Sequence, residues 1–306
     1  MRKPIILSFI LILMLPLFSD AQRWKIYRRQ FVFGAGATNF LGDLGGGKDE
    51  GRDGPYDLDF AATRPSLIVG YRYQLNSYLF LRGNVQWGIL KGSDEFAKND
   101  VRLNRNLSFR TGFFEANFMG EFYMVQNAKG NLYNLRGVRG KRGLGLDVYL
   151  FGGIGLMYFN PKAQIDNQWV ALQPLGTEGQ GLPGQPDNYN RITLTIPYGI
   201  GIGKTIDRFW MASFELTMRH TFTDYIDDVS GRYYGRDQLR ADKITNGSSP
   251  AEADLAARLS DRNTWENIDQ LNSTDRRGKP DNDYFLTGMF TLSRKIVKKR
   301  RSRPKF

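Results

Sequence analysis

One short segment concentrates the residue types that catalyse reactions or bind metal ions. His220 is the only histidine of the chain, and Asp224, Asp227 and Asp228 follow it in "HTFTDYIDDVSGRYYG" (220–235). An imidazole oriented by a carboxylate can act as a general base, and both groups are common metal ligands. Which chemistry applies depends on the element that carries His220 and on the direction of each side chain.

The residues around His220 alternate between apolar and polar types. His220 shares parity with Met218 and Phe222, whereas Ser213, earlier in the same segment, lies on the opposite face. An acyl-transfer site needs a serine within hydrogen-bonding reach of its histidine. We therefore interpret 220–222 as a strand crossing a headgroup boundary, expect the three aspartates to begin a surface-exposed loop, and predict no catalytic residue.

Two further motifs indicate chemistry only weakly. "GIGIGKT" (199–205) resembles the end of a phosphate-binding loop, but the required first glycine is Tyr198 and no helix follows. "GGGKDEGRDG" (45–54) contains Asp49, Glu50 and Asp53, but their spacing is not that of a calcium-binding loop. We predict no nucleotide, no cofactor and no metal site, and we interpret 45–54 as a solvated loop.

The first residues have the layout of an export signal. Arg2 and Lys3 precede the apolar stretch "IILSFILILMLPLF" (5–18), and "SDA" (19–21) ends in small residues. We expect a cleaved signal peptide over 1–21, with Gln22 as the first mature residue. The alternative is a membrane anchor, against which Pro16 and the short apolar run argue. The chain has no cysteine, which excludes disulfides and thiolate metal ligands.

Beyond residue 22 the apolar residues recur at every second position, which is typical of β-strands. The 34 glycines and the 13% of aromatic residues also suit an all-β protein with many turns. A net charge of +12 indicates a basic surface without identifying a partner, and we expect no nucleic-acid binding. Eight segments alternate in this way: 31–40, 66–73, 78–89, 112–122, 146–158, 191–203, 209–222 and 283–293.

Two all-β architectures fit this alternation, a soluble sandwich or barrel with its apolar face inward and a transmembrane barrel with its apolar face outward. The segments match a tilted span of a bilayer, and aromatic residues begin or end their apolar faces. The polar faces carry three basic and four acidic residues, which can neutralise one another in a narrow lumen. We therefore predict an eight-stranded, antiparallel, up-and-down transmembrane β-barrel with this lumen polar network: Arg72, Arg82, Glu115, Glu121, Asp147, Glu215 and Arg219.

The connections support an up-and-down barrel over 22–297. Tight turns at 74–77 and 204–207 alternate with long polar stretches, as short periplasmic turns alternate with long extracellular loops in outer-membrane barrels. The longest loop, 223–282, should contain a short helix, since Ser249 can cap it, Pro250 fits its first position and Glu252 its third.

One connection on the short-turn side, 125–145, is long. Together with the N-terminal arm and the tail 298–306 it should form a basic periplasmic face without acidic residues. Such a face could rest against anionic headgroups or dock an acidic partner. The predicted docking residues are Lys129, Arg136, Arg139, Lys141, Arg142, Lys298, Lys299, Arg300 and Arg301.

With this architecture, "TDYIDDVSGRY" (223–233) resembles the stretch that closes the seventh strand of PorG-like outer-membrane barrels of the type IX secretion system. Four further stretches fit the same pattern in the same order: "GATNFLGDL" (36–44), "YLFLRGNVQWG" (78–88), "VYLFGGIGLMYFNPKA" (148–163) and "PYGIGIGKTI" (197–206). The basic tail and the long loop at 236–282 depart from that pattern.

The resemblance implies a non-enzymatic barrel that links a periplasmic ring, built partly from a lipoprotein, to the outer membrane. It implies no catalytic residues. A generic small porin-like structural barrel and a hydrolase at the rim are the alternative functions.

Overall fold

The computed structural model describes residues 27–44, 60–96, 100–126, 145–263, 277–278 and 281–297. These ranges contain nine β-strands: β1 (Arg29–Leu41), β2 (Arg64–Gln74), β3 (Leu79–Ser93), β4 (Ser108–Val125), β5 (Leu146–Ile165), β6 (Gln168–Ala171), β7 (Ile192–Thr205), β8 (Trp210–Thr221) and β9 (Tyr284–Ile296).

Eight of these strands close into a barrel in which every neighbouring pair is antiparallel. The order β4-β3-β2-β1-β9-β8-β7-β5 is completed by pairing of β4 with β5. The first and last strands also pair over their full length, from Arg29 opposite Ile296 to Leu41 opposite Tyr284. Closure pairs the edges of all eight strands, which is obligatory in lipid, where no water can satisfy an exposed backbone group.

The side chains alternate between outward and inward positions over most of the barrel wall. Large apolar side chains face outward and remain exposed, for example Val85 at 58%, Phe118 at 56% and Phe290 at 71%, whereas the inward Arg72 is 0% exposed. An outward apolar surface around a charged interior is the arrangement of a transmembrane barrel. The prediction of an eight-stranded, antiparallel, up-and-down transmembrane β-barrel is confirmed.

Several strands are longer than the sequence segments that predicted them. β4 has 18 residues and β5 has 20, whereas about 9–11 tilted residues cross the apolar layer. Their extra residues continue the ladder beyond one end of the barrel, where β5 turns back into β6 through Asp166 and Asn167. β6 therefore belongs to a hairpin above the barrel and not to its wall.

The two ends of the barrel differ in structure. At one end, called the turn end here, tight turns join β2 to β3 and β7 to β8, β1 begins and β9 ends. The opposite end, called the loop end, carries α1 (Asp100–Arg105), α2 (Arg236–Thr245) and α3 (Pro250–Ser260). α3 is the helix expected from the sequence, and the Ser249 side chain accepts a hydrogen bond from the Glu252 amide at 3.2 Å. No helix in the described ranges has the length and apolarity needed to cross a membrane.

Candidate functional site

The middle of the lumen contains four of the charged residues that the sequence placed there. Arg72 (β2), Arg82 (β3), Glu121 (β4) and Glu215 (β8) form a group that we call the charge tetrad. Arg82 lies 2.6 Å from Glu215 and 2.9 Å from Glu121, and Arg72 lies 2.9 Å from Glu121 and 3.5 Å from Glu215. β3 and β8 lie on opposite sides of the ring of strands, so the Arg82–Glu215 ion pair crosses the barrel axis.

A second ion pair lies nearer the loop end. Arg219 Nε is 2.8 Å from Glu115 Oε2, and the guanidinium also donates to Thr287 Oγ1 at 2.6 Å and to the Gln86 side chain. Thr195 donates to Glu115 at 2.6 Å. Asp147, the seventh member of the predicted lumen network, is also buried, opposite Gly203 near the turn end of β5. All seven side chains of that network therefore point into the lumen.

Aromatic and aliphatic side chains fill the lumen on both sides of these charges. Towards the turn end, Tyr149 stacks on Tyr123 with ring centroids 4.7 Å apart and donates to Glu215 at 2.6 Å. Gly201 leaves room for the Tyr149 ring, since a Cβ there would lie 2.2 Å from it. Towards the loop end, a buried cluster that includes Phe40, Phe113 and Phe285 closes the barrel mouth. The described lumen is thus occupied along its length.

We therefore expect the purified barrel to conduct no ions. Eight-stranded barrels have interiors just wide enough for side chains, and here charged pairs and aromatic rings occupy that space. Single-channel recording in planar bilayers should show no steady current above that of protein-free membranes. A stable conductance step that scales with salt concentration would contradict this expectation.

Two of the three aspartates of the opening motif, Asp227 and Asp228, are buried and Asp224 is partly buried, which corrects the expectation that all three begin a surface-exposed loop. Asp227 and Asp228 are 1% and 0% exposed. Asp227 accepts from the backbone amides of Leu44 at 3.1 Å and Val229 at 3.0 Å. The chain turns inward after β8 because Ile226 and Val229 join the buried cluster at the mouth. The carboxylates follow them and satisfy backbone donors.

Asp228 joins two connections above the mouth, the one between β6 and β7 and the one between β8 and β9. Its carboxylate accepts from Thr177 Oγ1 at 2.5 Å and from the Tyr189 hydroxyl at 2.7 Å, and it lies 3.7 Å from Arg277. Arg277 also pairs with Glu178 at 3.2 Å. We call the described parts of 166–191, 222–263 and 277–278 the cap, since these contacts hold them together over the barrel. The sequence motif indicated the aspartates, but nothing in it indicated their partners.

Burial and neighbouring carboxylates change the acidity of this region. Burial raises the pKa of Asp228 to about 6, against the opposing effect of Arg277. Burial, with repulsion from Asp43 and Glu178, raises the pKa of Asp224 to about 8. Burial and Asp43 likewise raise the pKa of Asp227. The cap thus holds carboxyl groups that bind protons more tightly when it is folded.

These shifts predict a cap that loses stability as the pH rises. A carboxyl with a raised pKa in the folded state contributes most below its unfolded pKa of about 4, and this contribution falls as the pH approaches the folded value. The loss should run from about pH 4 to 6 for Asp228 and to about 8 for Asp224.

Urea titrations at pH 5.0, 6.5 and 8.0, followed by a fluorescent probe in the cap, check this prediction. Asp224→Asn should flatten the decrease between pH 6.5 and 8.0, whereas Asp187→Asn, at an exposed position of the same cap, should leave it unchanged. A cap that becomes more stable from pH 5.0 to 8.0 would contradict the prediction.

His220 lies away from these aspartates, on the outer face of the barrel. Its ring packs against Phe222 and Tyr284, with centroids 5.0 and 4.7 Å apart. Asp227 and Asp228 accept hydrogen bonds from Leu44 and from cap residues, and Ser213 is buried in the lumen. The histidine, the aspartates and the serine are therefore not assembled into one site.

Other predicted residues fall in part outside the described ranges. "GIGIGKT" lies on β7 and ends in a tight turn, as expected for a strand. The acidic loop 45–54 lies outside the described residues, as do the signal segment 1–21 and the tail 298–306. The predicted docking residues Lys129, Arg136, Arg139, Lys141, Arg142, Lys298, Lys299, Arg300 and Arg301 lie outside them as well.

A closed ring of eight strands, an outward apolar surface and a filled, charged lumen define a small transmembrane β-barrel of the outer-membrane type. No protein-family model and no curated protein matches the chain.

Solved outer-membrane proteins are similar to it at low identity. Ail of Yersinia pestis has 10% identity and a TM-score of 0.36, covering 88% of this chain and 99% of its own. OprG from Pseudomonas aeruginosa has 7% identity and a TM-score of 0.36, with 89% and 98% covered. A major outer membrane protein from Thermus thermophilus has 10% identity and a TM-score of 0.36, with 88% and 99% covered. Likeness at this level carries no information about function.

Proposed function

We propose that the chain is a structural adaptor of type IX protein secretion in the outer membrane, where its basic periplasmic face docks an acidic region of a ring lipoprotein. In this proposal 1–21 is a cleaved export signal, 22–297 is the barrel with its long loop 223–282, and 298–306 is a basic periplasmic tail. The barrel supplies a membrane anchor and contributes no catalytic step.

The observation that carries this proposal is where the basic segments join the barrel. The segment 127–144 connects the end of β4 to the start of β5, and the tail follows β9. Both junctions lie at the turn end, where β1 also begins at Arg29, directly after Arg28. Residues 127–144 and 298–306 contain cations and no acidic residue. A surface of one sign at one end favours a partner of the opposite sign.

The filled lumen supports the same proposal, because a barrel that passes no solute has little use as a general porin. The separation of His220 from the aspartates also argues against a hydrolase at the rim. The sequence resemblance to PorG-like barrels supplies the particular secretion system.

Charge reversal tests the docking step. We expect the variant with Arg136, Arg139, Lys141 and Arg142 all replaced by Glu to reach normal levels in the outer membrane, to stop pulling down the ring lipoprotein and to abolish type IX secretion. A control variant reverses the exposed cations Arg232, Arg236 and Arg240 at the loop end. That control should secrete normally.

Two other outcomes of these experiments would favour the alternative functions. Normal secretion in the turn-end variant would leave a generic small porin-like barrel. Loss of an extracellular hydrolytic activity in His220→Ala, with secretion intact, would favour the rim hydrolase instead.

A further inference from the structure

Two cations face each other on the outside of the barrel near the loop end. Arg110 on β4 and Lys162 on β5 are register partners, and both side chains are exposed on the outward face. Like charges directly opposite each other destabilise a pair of strands. Such a pair is therefore unfavourable unless an anion lies between the two side chains.

A third cation, Arg191, approaches the same patch from the position directly before β7. Arg191 donates to the Asn160 side chain at 3.4 Å, and its guanidinium lies 5.8 Å from the centroid of the Tyr158 ring. Asn160 and Tyr158 stand on the same outward row of β5 as Lys162. Among the ion pairs of the described residues, none involves Arg110, Lys162 or Arg191.

The wall has an open notch between these groups. Gly112 stands opposite Asn160, between Arg110 and Phe114 on the outward row of β4. A Cβ built at Gly112 would meet nothing within 4 Å. The notch thus lies beside the three cations and above the first exposed aromatic side chain, and it leaves space for a small polar group.

The height of the notch matches a lipid headgroup. Arg110 lies twelve positions along β4 from the exposed Phe122 near the turn end. At a rise of about 3.3 Å per residue and a tilt of about 40°, this separation spans about 30 Å along the barrel axis. The apolar band of such barrels is about 25 Å tall, so Arg110 stands just beyond it. Trp169, whose ring lies 5.5 Å from the Arg110 guanidinium, is typical of an interface position.

A polar cleft of about 560 Å³ opens directly above the cations. Ser108 and Gln164 line it, each two positions beyond Arg110 and Lys162 on the same strands. Arg258 and Arg262 also line it, and burial together with nearby Arg258 lowers the pKa of Arg262. Asp166 and Asp261 line the cleft as well, and Asp166 pairs with Arg258 at 2.9 Å. Its hydroxyl, amide, guanidinium and carboxylate groups suit a polar saccharide and not an acyl chain.

We infer that Arg110, Lys162 and Arg191 bind the phosphate of an outer-leaflet glycolipid at the Gly112 notch, with its saccharide in the cleft above. The phosphate neutralises the opposed Arg110 and Lys162 side chains, and the acyl chains lie along the apolar wall below Tyr158. A phospholipid would occupy the notch but leave the cleft empty, so the pairing of notch and cleft indicates a glycolipid.

Native mass spectrometry of the full-length protein in detergent tests this inference, with lipid A as the probe. We expect one lipid A to be retained by the unmodified protein. Retention should fall at least tenfold in the variant R110Q/K162Q/R191Q. Gly112→Phe, which fills the notch without changing charge, should reduce it at least threefold. Heat-dependent migration on gels verifies that each variant forms a barrel.

A matched variant carries K204Q/R208Q/R294Q, three exposed cations at the turn end, among which Arg294 also stacks on an aromatic ring. It should retain lipid A as the unmodified protein does. Full retention by both loop-end variants would overturn the inference. So would equal retention of dephosphorylated lipid A or of a zwitterionic phospholipid, or displacement of lipid A by inorganic phosphate at equimolar concentration.

Discussion

Replacing Glu215 by alanine should lower the free energy of unfolding of the barrel by about 3–5 kcal/mol, the cost typical of breaking a buried ion pair. Glu215 contacts Arg82 at 2.6 Å and Arg72 at 3.5 Å, and it accepts from the Tyr149 hydroxyl. Its removal leaves two buried guanidinium groups facing Glu121 alone. Urea unfolding in detergent micelles, followed by heat-dependent migration on gels, measures the change.

A double variant separates the charge imbalance from the loss of contacts. Replacing Arg82 by Met together with Glu215 by Leu leaves Arg72 and Glu121 as a balanced pair at 2.9 Å. Buried ion pairs can be exchanged for apolar side chains at little cost, so R82M/E215L should be more stable than Glu215→Ala. Asp166→Ala, which breaks an exposed pair with Arg258, should leave unfolding unchanged. Equal losses in the single and double variants would contradict the role given to charge balance.

Replacing Asp228 by alanine should detach the cap from the barrel mouth. The side chain accepts from Thr177 and Tyr189 and lies beside the buried Arg277, so truncation leaves these polar groups without their acceptor. Its backbone φ of 67° adds a second penalty, because alanine adopts this left-handed conformation less readily than aspartate or asparagine. We expect at least a tenfold increase in the rate at which trypsin cleaves the cap of the purified protein.

Asp228→Asn separates the two contributions. Asparagine tolerates the backbone conformation and keeps an oxygen acceptor, so the cap should remain largely protected. Asp187→Ala, at an exposed cap position, provides the matched control and should be cleaved at the unmodified rate. Unchanged protection in Asp228→Ala would show that the apolar cluster around Ile226 holds the cap without this carboxylate.

The barrel wall could be predicted from the sequence because each strand carries its own signal. In β7, Ile200 and Ile202 alternate with Gly201 and Gly203, and this local pattern alone fixes which side chains face lipid. The same alternation predicts that Arg72, Arg82 and Glu215 point into the lumen, but it does not identify their ion-pair partners. Their pairing could not be predicted, since it depends on the stagger of strands that are distant in sequence and opposite in the closed ring.

The cap could not be derived in the same way, because its residues follow no period. Ser249 at the N-cap position predicts α3 from the sequence. α2 begins after Gly235 without a side-chain cap, so no comparable residue predicts it. The sequence predicts Asp227 and Asp228 to be solvated loop residues, because charged side chains are rarely buried without partners. Their partners, among them Thr177 and Arg277, come from loops that only the closed barrel brings together.

The charge tetrad also has a mechanical consequence. Its Arg82–Glu215 ion pair connects β3 to β8 through the centre of the barrel, and the buried clusters around Tyr149 and Phe113 support the wall on either side of it. A force applied at one end of the barrel would be transmitted to the other end with little change in the diameter of the wall between them. The barrel is thus a rigid body that resists deformation across the bilayer.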